Sequence, residues 1–325
     1  MNLIVEREKG PLQELEARIV TLRERGSGSS ADVALLEEKY RELLGDLFGK
    51  LTPWERVHMA RHPKRPLAGD YLAALDSFEE LHGDRHFRDD HALVGGFAKL
   101  RGRRIVVLAQ RKGRDTKENI YRNFGMASPE GYRKAKRLME LAARFRLPIV
   151  SLVDTSGADP GIASEEHAQS EAIASCLTTL AKVGVPVVAT IIGEGGSGGA
   201  LAIALADTVI MAENAVYSVA SPEGCAAILW GDAARAPEAA ERLRLTSDDL
   251  LGFGIIDRIV KEPLGGAHRD APGFVQIVLD TIEDELRVLE TKTPASLREG
   301  RYEKFRRIGA WERELRTHVV TAVPS

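Results

Sequence analysis

Five glycines fall within the seven residues 193–199, interrupted only by Glu194 and Ser197. The run follows 185–192, an apolar, β-branched stretch that reads as a buried strand. It precedes the small-residue stretch 200–206, which reads as a helix, and a second apolar stretch begins at Thr208. A strand that turns through glycines into a helix start aims unpartnered backbone N–H groups, and the positive end of the helix dipole, at one point. Such a point holds negative charge, on a bound phosphate or on an oxygen that becomes anionic during reaction.

Four readings of this turn stand side by side. A nucleotide-phosphate loop lacks its lysine here, and the G-x-G-x-x-G spacing is not met cleanly. Gly195-Gly196-Ser197-Gly198-Gly199 fits the G-x-S-x-G pattern of a serine nucleophile. That chemistry needs an acid and then a histidine downstream, but Asp207 comes after a short helix and His268 and His318 lie in polar stretches. An oxyanion hole of backbone amides needs glycine so that a ligand can approach the main chain. A tight turn needs it for packing alone.

The elements that must hold this turn read as a repeat. Residues 148–153 form a strand, Asp154-Thr155-Ser156-Gly157-Ala158-Asp159-Pro160-Gly161 a loop, and a helix starts at Ser164 and ends at Gly184. Glu165 and Glu166 suit that helix's first turn. Strand–loop–helix thus occurs twice, with glycine loops at the carboxyl ends of strands, where open α/β folds place ligands. Upstream, 70–81 reads as a helix, and 92–100 and 104–110 as a hairpin around Arg101-Gly102-Arg103. The basic cluster Arg111-Lys112-Gly113-Arg114 comes next, either an anion grip or a solvated loop. Residues 128–145 read as a helix with Ser128 as N-cap and Pro129 in the first position.

Residues 11–48 read as a helical hairpin, with Leu12, Leu15, Ile19 and Leu22, then Val33, Leu36, Tyr40, Leu43, Leu44 and Leu47, at helical spacing and Gly26-Ser27-Gly28-Ser29-Ser30 as the joint. It is an assembly arm or a solvated appendage. The proline-rich, basic stretch 53–69 reads as a boundary. Downstream, 232–262 holds helices and the strand 255–260, and 271–289 is a helix. In 296–317, Tyr302, Phe305, Ile308 and Trp311 recur among basic residues, as in an amphipathic helix docking on its own domain or a partner rather than a nucleic-acid patch. The expected division is a helical extension at 1–69, a main domain at 70–290 and a helical tail at 291–325.

Composition bounds the function. The 325 residues carry a net charge of -3, which argues against a general nucleic-acid binder. The two cysteines, Cys176 and Cys225, form no C-x-x-C pair, which excludes a zinc ribbon or a disulfide framework and suits a reducing compartment. No membrane-length apolar run and no signal peptide pattern occurs, so a cytoplasmic protein is expected.

Several long motifs carry a resemblance. They are 193–203, Tyr217-Ser218-Val219, 221–230, 112–119, Arg122-Asn123-Phe124-Gly125-Met126, 128–135 and Pro263-Leu264-Gly265-Gly266-Ala267-His268. In order and in content they resemble the carboxyltransferase alpha subunit of bacterial multi-subunit acetyl-CoA carboxylase, from about Leu12 to about Gly309. The resemblance implies an α/β fold of the crotonase type, a spiral of β-β-α units with an N-terminal helical hairpin. It implies carboxyl transfer from biotin, borne on a separate carrier protein, to acetyl-CoA, giving malonyl-CoA for fatty acid synthesis. It implies a beta subunit in an α2β2 assembly, which supplies the oxyanion hole for the thioester enolate, and no metal in this chain. By motif match, Gly198 and Gly199 form the biotin-side oxyanion hole, Gly195 and Gly196 shape the loop and Ser197 is a turn residue; Gly157 and the loop 154–161 line the same cavity by position. Arg111, Lys112, Arg114 and Lys117 are then candidate contacts for coenzyme A or another anion.

The sequence departs from the family pattern near the cleft. Gln110 and Arg111 replace His and Gln, Ser156 replaces Pro, Asp159 replaces Tyr, His167-Ala168 replace Arg-Gly, and Gly231 replaces Lys. These departures admit a housekeeping subunit or a paralogue with another acyl-CoA, a decarboxylation or altered inhibitor response. A non-catalytic scaffold that completes a partner's site is the non-enzyme alternative.

Overall fold

The computed structural model describes residues 2–25 and 30–309. The N-terminal region is helical: α1 Leu3–Glu8, α2 Pro11–Arg25, α3 Ser30–Phe48, α4 Pro53–Ala60 and α5 Ala68–Ala73. Of the expected joint 26–30, Ser30 opens α3 and 26–29 lie outside the described residues. Ile4, Leu12, Leu44, Phe48 and Met59 form a small separate core. The stretch 53–69 contains α4, started by a capping box in which Thr52 and Glu55 satisfy each other's amides.

The main body is one mixed eight-stranded sheet in the order β1-β2-β3-β4-β5-β6-β8. Its strands are β1 Ser77–Glu80, β2 Leu93–Leu100, β3 Arg103–Gln110, β4 Ile149–Thr155, β5 Val187–Gly196, β6 Thr208–Ala212, β7 Val216–Ser218 and β8 Arg258–Val260. From β3 to β8 the neighbours are parallel, and β7 pairs with the far end of β5. Every residue of β4, β5 and β6 is buried, as continuous Val/Ile runs require of a sheet covered on both faces. The remaining helices are α6 Thr116–Tyr121, α7 Pro129–Phe145, α8 Ile162–Glu166, α9 Gln169–Lys182, α10 Ser197–Ala204, α11 Pro222–Trp230, α12 Ala236–Leu243, α13 Ser247–Gly252, α14 Ala271–Leu289 and α15 Pro294–Arg307. Helix α7 packs on β2, β3 and α9, α14 packs on β5, β6 and β8, and α10 packs on β4, β5 and α9. Leu138 and Met139 of α7 are fully buried, each worth about 1.5–3 kcal/mol.

Four expectations are corrected. The helix at 70–81 ends at Ala73, and 77–80 is an edge strand, because Ser77 to Glu80 pair antiparallel with β2. The helix from Ser164 is two helices, broken where Ala168 takes a left-handed backbone at φ 63°. The glycines before Ser197 are not a loop: β5 runs on to Gly196, since Glu194, Gly195 and Gly196 pair with Val216, Tyr217 and Ser218 of β7. The C-terminal helix is α15 and ends at Arg307, while Trp311 lies outside the described residues. Helix α15 is held by Arg301, which is 1 % exposed and donates to the carbonyls of Leu180, Val183 and Val185 and to Asp207.

Candidate functional site

The site is built where β4 and β5 end and α10 begins. Ser197 is the first residue of α10 and takes φ 56°, so the chain turns sharply from strand into helix there. Among the described residues nothing accepts a hydrogen bond from the amides of Gly198 or Gly199, the orphan donors of a helix start. Gly198 opens with Ser197, Leu201, Tyr217 and Val219 onto a cavity of about 470 Å³. The Gly199 carbonyl is turned inward, accepting from Gln110 Nε2 at 2.7 Å and from the Tyr132 hydroxyl at 3.4 Å. Gln110 thus holds the turn from the place of the family's histidine.

The glycines have different reasons to be glycine. A Cβ on Gly196 would lie 2.0 Å from the Ser156 carbonyl oxygen, and one on Gly199 2.4 Å from the Ala158 nitrogen. The loop 154–161 therefore lies directly on the turn. Gly157 packs against Gly199, and its own amide is engaged, donating to Thr155 Oγ1 at 3.1 Å. A Cβ on Gly198 would meet only the Ile173 side chain, at 3.7 Å.

Ser197 is exposed, and among the described residues no histidine or carboxylate bonds its hydroxyl. Among the described residues the G-x-S-x-G match therefore has no base at hand for a nucleophile, and His318 lies outside them.

Within the basic cluster, Lys112 is turned inward onto two carboxylates. Lys112 Nζ lies 2.8 Å from Asp154 Oδ1 and 2.6 Å from Glu194 Oε2, with its side chain 17 % exposed. Arg61 of the N-terminal region donates to the other oxygen of Glu194 at 2.6 Å and also binds Glu223. Burial pushes the Glu194 carboxyl up, but Lys112 and then Arg61 outweigh it and hold it at about 2. Arg114 pairs with Asp70, Arg111 lies 3.7 Å from Glu118, and Lys117 is exposed. Sequence reasoning missed Arg61, because no local pattern connects it to a glutamate 133 residues further along the chain.

The departures from the family pattern fit local geometry. Asp159 is occupied by its neighbours, accepting from Ser164 Oγ at 2.5 Å and from the Gly161 amide at 3.2 Å. His167 Nδ1 lies 2.7 Å from Glu130 Oε1. Gly231 closes α11 in the left-handed conformation at φ 69°, which glycine takes more readily than lysine.

Residues 4–309 match the family described as acetyl co-enzyme A carboxylase carboxyltransferase-like. The chain is 50 % identical over 314 residues to the acetyl-coenzyme A carboxylase carboxyl transferase subunit alpha of Erythrobacter litoralis, spanning 95 % of this chain and all of that one. It is 51 % identical over 304 residues to the subunit of the same name from Rhizorhabdus wittichii, covering 92 % of this chain and 97 % of that one. Among solved structures it resembles transcarboxylase 12S, with a TM-score of 0.56 at 20 % identity over 69 % of this chain and 41 % of that one. It also resembles a chain of a Pseudomonas malonate decarboxylase hetero-tetramer, with a TM-score of 0.55 at 17 % identity over 72 % of this chain and 90 % of that one. The sheet and helices share the crotonase-type fold of these structures, and the family match and the curated relatives make the chain a carboxyltransferase. Within that class, the chain belongs to the family of acetyl-CoA carboxylase carboxyltransferase alpha subunits.

Proposed function

We propose that this chain supplies the biotin side of a carboxyltransferase that moves a carboxyl group from carboxybiotin, borne on a separate carrier protein, to acetyl-CoA, and that it works with a beta subunit in an α2β2 assembly. The observation that carries this reading is the pair of amides at Gly198 and Gly199, which have no acceptor among the described residues, with Gly198 on the wall of a cavity of about 470 Å³. The amides would donate to the ureido oxygen as the N–CO2 bond breaks and negative charge gathers there. One such donor is worth about 3 kcal/mol in a water-poor site. Biotin bound there would supply the carboxyl group as CO2 and a basic ureido nitrogen for the methyl proton of the thioester, whose carbanion would take up the CO2. Ser197, Gly195, Gly196 and Gly157 shape the turn and its covering loop.

Partner contact is supported by exposed apolar side chains: Val219 at the cavity is 76 % exposed, and Ile228 and Leu229 of α11 are 80 % and 64 % exposed. The test is malonyl-CoA formation by the complex co-expressed with a beta subunit, over a panel of acyl-CoAs. Turnover on acetyl-CoA at the rate of an ordinary alpha–beta pair is expected. Turnover confined to another acyl-CoA would establish the paralogue instead, and covalent capture of Ser197 by a fluorophosphonate the hydrolase.

A further inference from the structure

At the carboxyl ends of β3, β4 and β5, three neighbouring parallel strands, stand Lys112, Asp154 and Glu194. The ladder between β4 and β5 is broken there. Val153 pairs with Ile191 and Thr155 pairs with Gly195, so the single residue Asp154 faces Ile192, Gly193 and Glu194. Such bulges bend a strand and re-aim the residues beyond them, and they recur beside active sites.

Side chains replace the missing sheet bonds. The Glu194 amide donates to Asp154 Oδ1 at 3.0 Å, and the Ile192 carbonyl accepts from Arg65 Nε at 2.8 Å. Arg65 is 2 % exposed and is itself fixed by Glu262. Lys112 then ties the two sides together by binding both Asp154 and Glu194. Three residues beyond Glu194 the chain turns at Ser197 and presents the Gly198 and Gly199 amides.

We propose that Lys112 is a positioning residue: by bridging Asp154 and Glu194 it locks the bulge of β5 and so fixes the direction of the Gly198 and Gly199 amides. The proposal rests on the functional reading above and assigns Lys112 a role other than gripping coenzyme A. Its charge is spent inside the protein, on two carboxylates that hold the strand carrying the oxyanion donors.

The test uses the complex with the beta subunit. Lys112→Met combined with Glu194→Gln removes one positive and one negative charge together. Hydrogen–deuterium exchange of the peptide spanning 194–201 and steady-state kinetics are then measured. Exchange in that peptide is expected to rise about tenfold with the rest of the sheet unchanged. The kcat is expected to fall about a hundredfold while KM for acyl-CoA moves less than about twofold, as misplaced donors require. Lys112→Arg, which keeps the cation, should restore much of the kcat.

Wild-type exchange and wild-type kcat in the double variant would overturn the proposal. So would a rise in KM for acyl-CoA at constant kcat, which marks a direct coenzyme A contact. Should the double variant not fold, Asp154→Asn keeps an oxygen for the Glu194 amide but weakens the lysine's hold: faster exchange at 194–201 supports the clamp, and unchanged exchange refutes it. Failure of the wild-type complex to carboxylate acetyl-CoA would defeat the functional reading, while the exchange measurement would still judge the clamp.

Discussion

A glycine can be needed for its missing side chain or for its amide, and this turn contains both kinds. The nearest neighbours of a Cβ at Gly198 are Ile173 side-chain atoms at 3.7 Å and 3.8 Å, so a methyl fits there. At Gly199 the same Cβ would lie 2.5 Å from the Gly157 carbonyl carbon. Gly198→Ala should therefore keep malonyl-CoA formation within about threefold of wild type, because the amide survives. Gly199→Ala should lose about a hundredfold, because the covering loop must move. Ser197→Ala should also stay active. If it instead lost several orders of magnitude while Gly198→Ala did not, the serine would be the nucleophile. Ala168 stands where the family pattern has glycine and takes φ 63°. Relieving that left-handed strain with Ala168→Gly should raise stability by about 1 kcal/mol, read as a shift in the urea midpoint at constant slope.

Among the elements, α15 shows how one side chain can dock a whole helix. Arg301 fills its donors with three carbonyls, from the end of α9 and the segment after it, and with the buried carboxylate of Asp207. Arg301→Met leaves that carboxylate and those carbonyls unpaired, so a loss of about 3–5 kcal/mol is expected in chemical denaturation. Tyr302, one residue on and 57 % exposed, should tolerate alanine within about 0.5 kcal/mol. The strand β7 makes the complementary point. It is only three residues long, yet pairing with it turns a glycine-rich stretch into strand and places Tyr217 against Gly195, 2.7 Å from where a Cβ would stand.

For the molecule as a whole, charge ties the N-terminal helices to the sheet domain. Glu8 of α1 accepts from His268, His62 and Arg269. Burial works against its carboxylate, but the hydrogen bonds from His268 and His62 outweigh that and hold it below the ordinary carboxylate range. A lowered carboxyl pKa contributes stability that is fully present above the unfolded value and is lost as pH falls through the folded one. Glu194, held at about 2, has the same sign. Stability should therefore fall steadily from about pH 4.5 downward. Glu8→Gln should lower stability at pH 7 and make the fall below pH 4.5 shallower, checked by guanidinium unfolding at a series of pH values. A slope unchanged by Glu8→Gln would assign the acid sensitivity elsewhere. Among the described residues no helix is long and apolar enough to cross a membrane.

Local pattern was enough to read β4, the start of β5, α7 and α14, because buried strands and amphipathic helices write their periods into the chain. It also showed the crowded glycines and, through shared motifs, the family. Pattern could not show that those glycines belong to a strand, since their partners on β7 have no period of their own. Nor could it show that Lys112 faces inward, because its partners Asp154 and Glu194 stand 42 and 82 positions away in sequence. Periodicity reports which face of an element avoids water. Which cation meets which carboxylate, and which amides are left without an acceptor, is decided only when strands distant in sequence lie side by side.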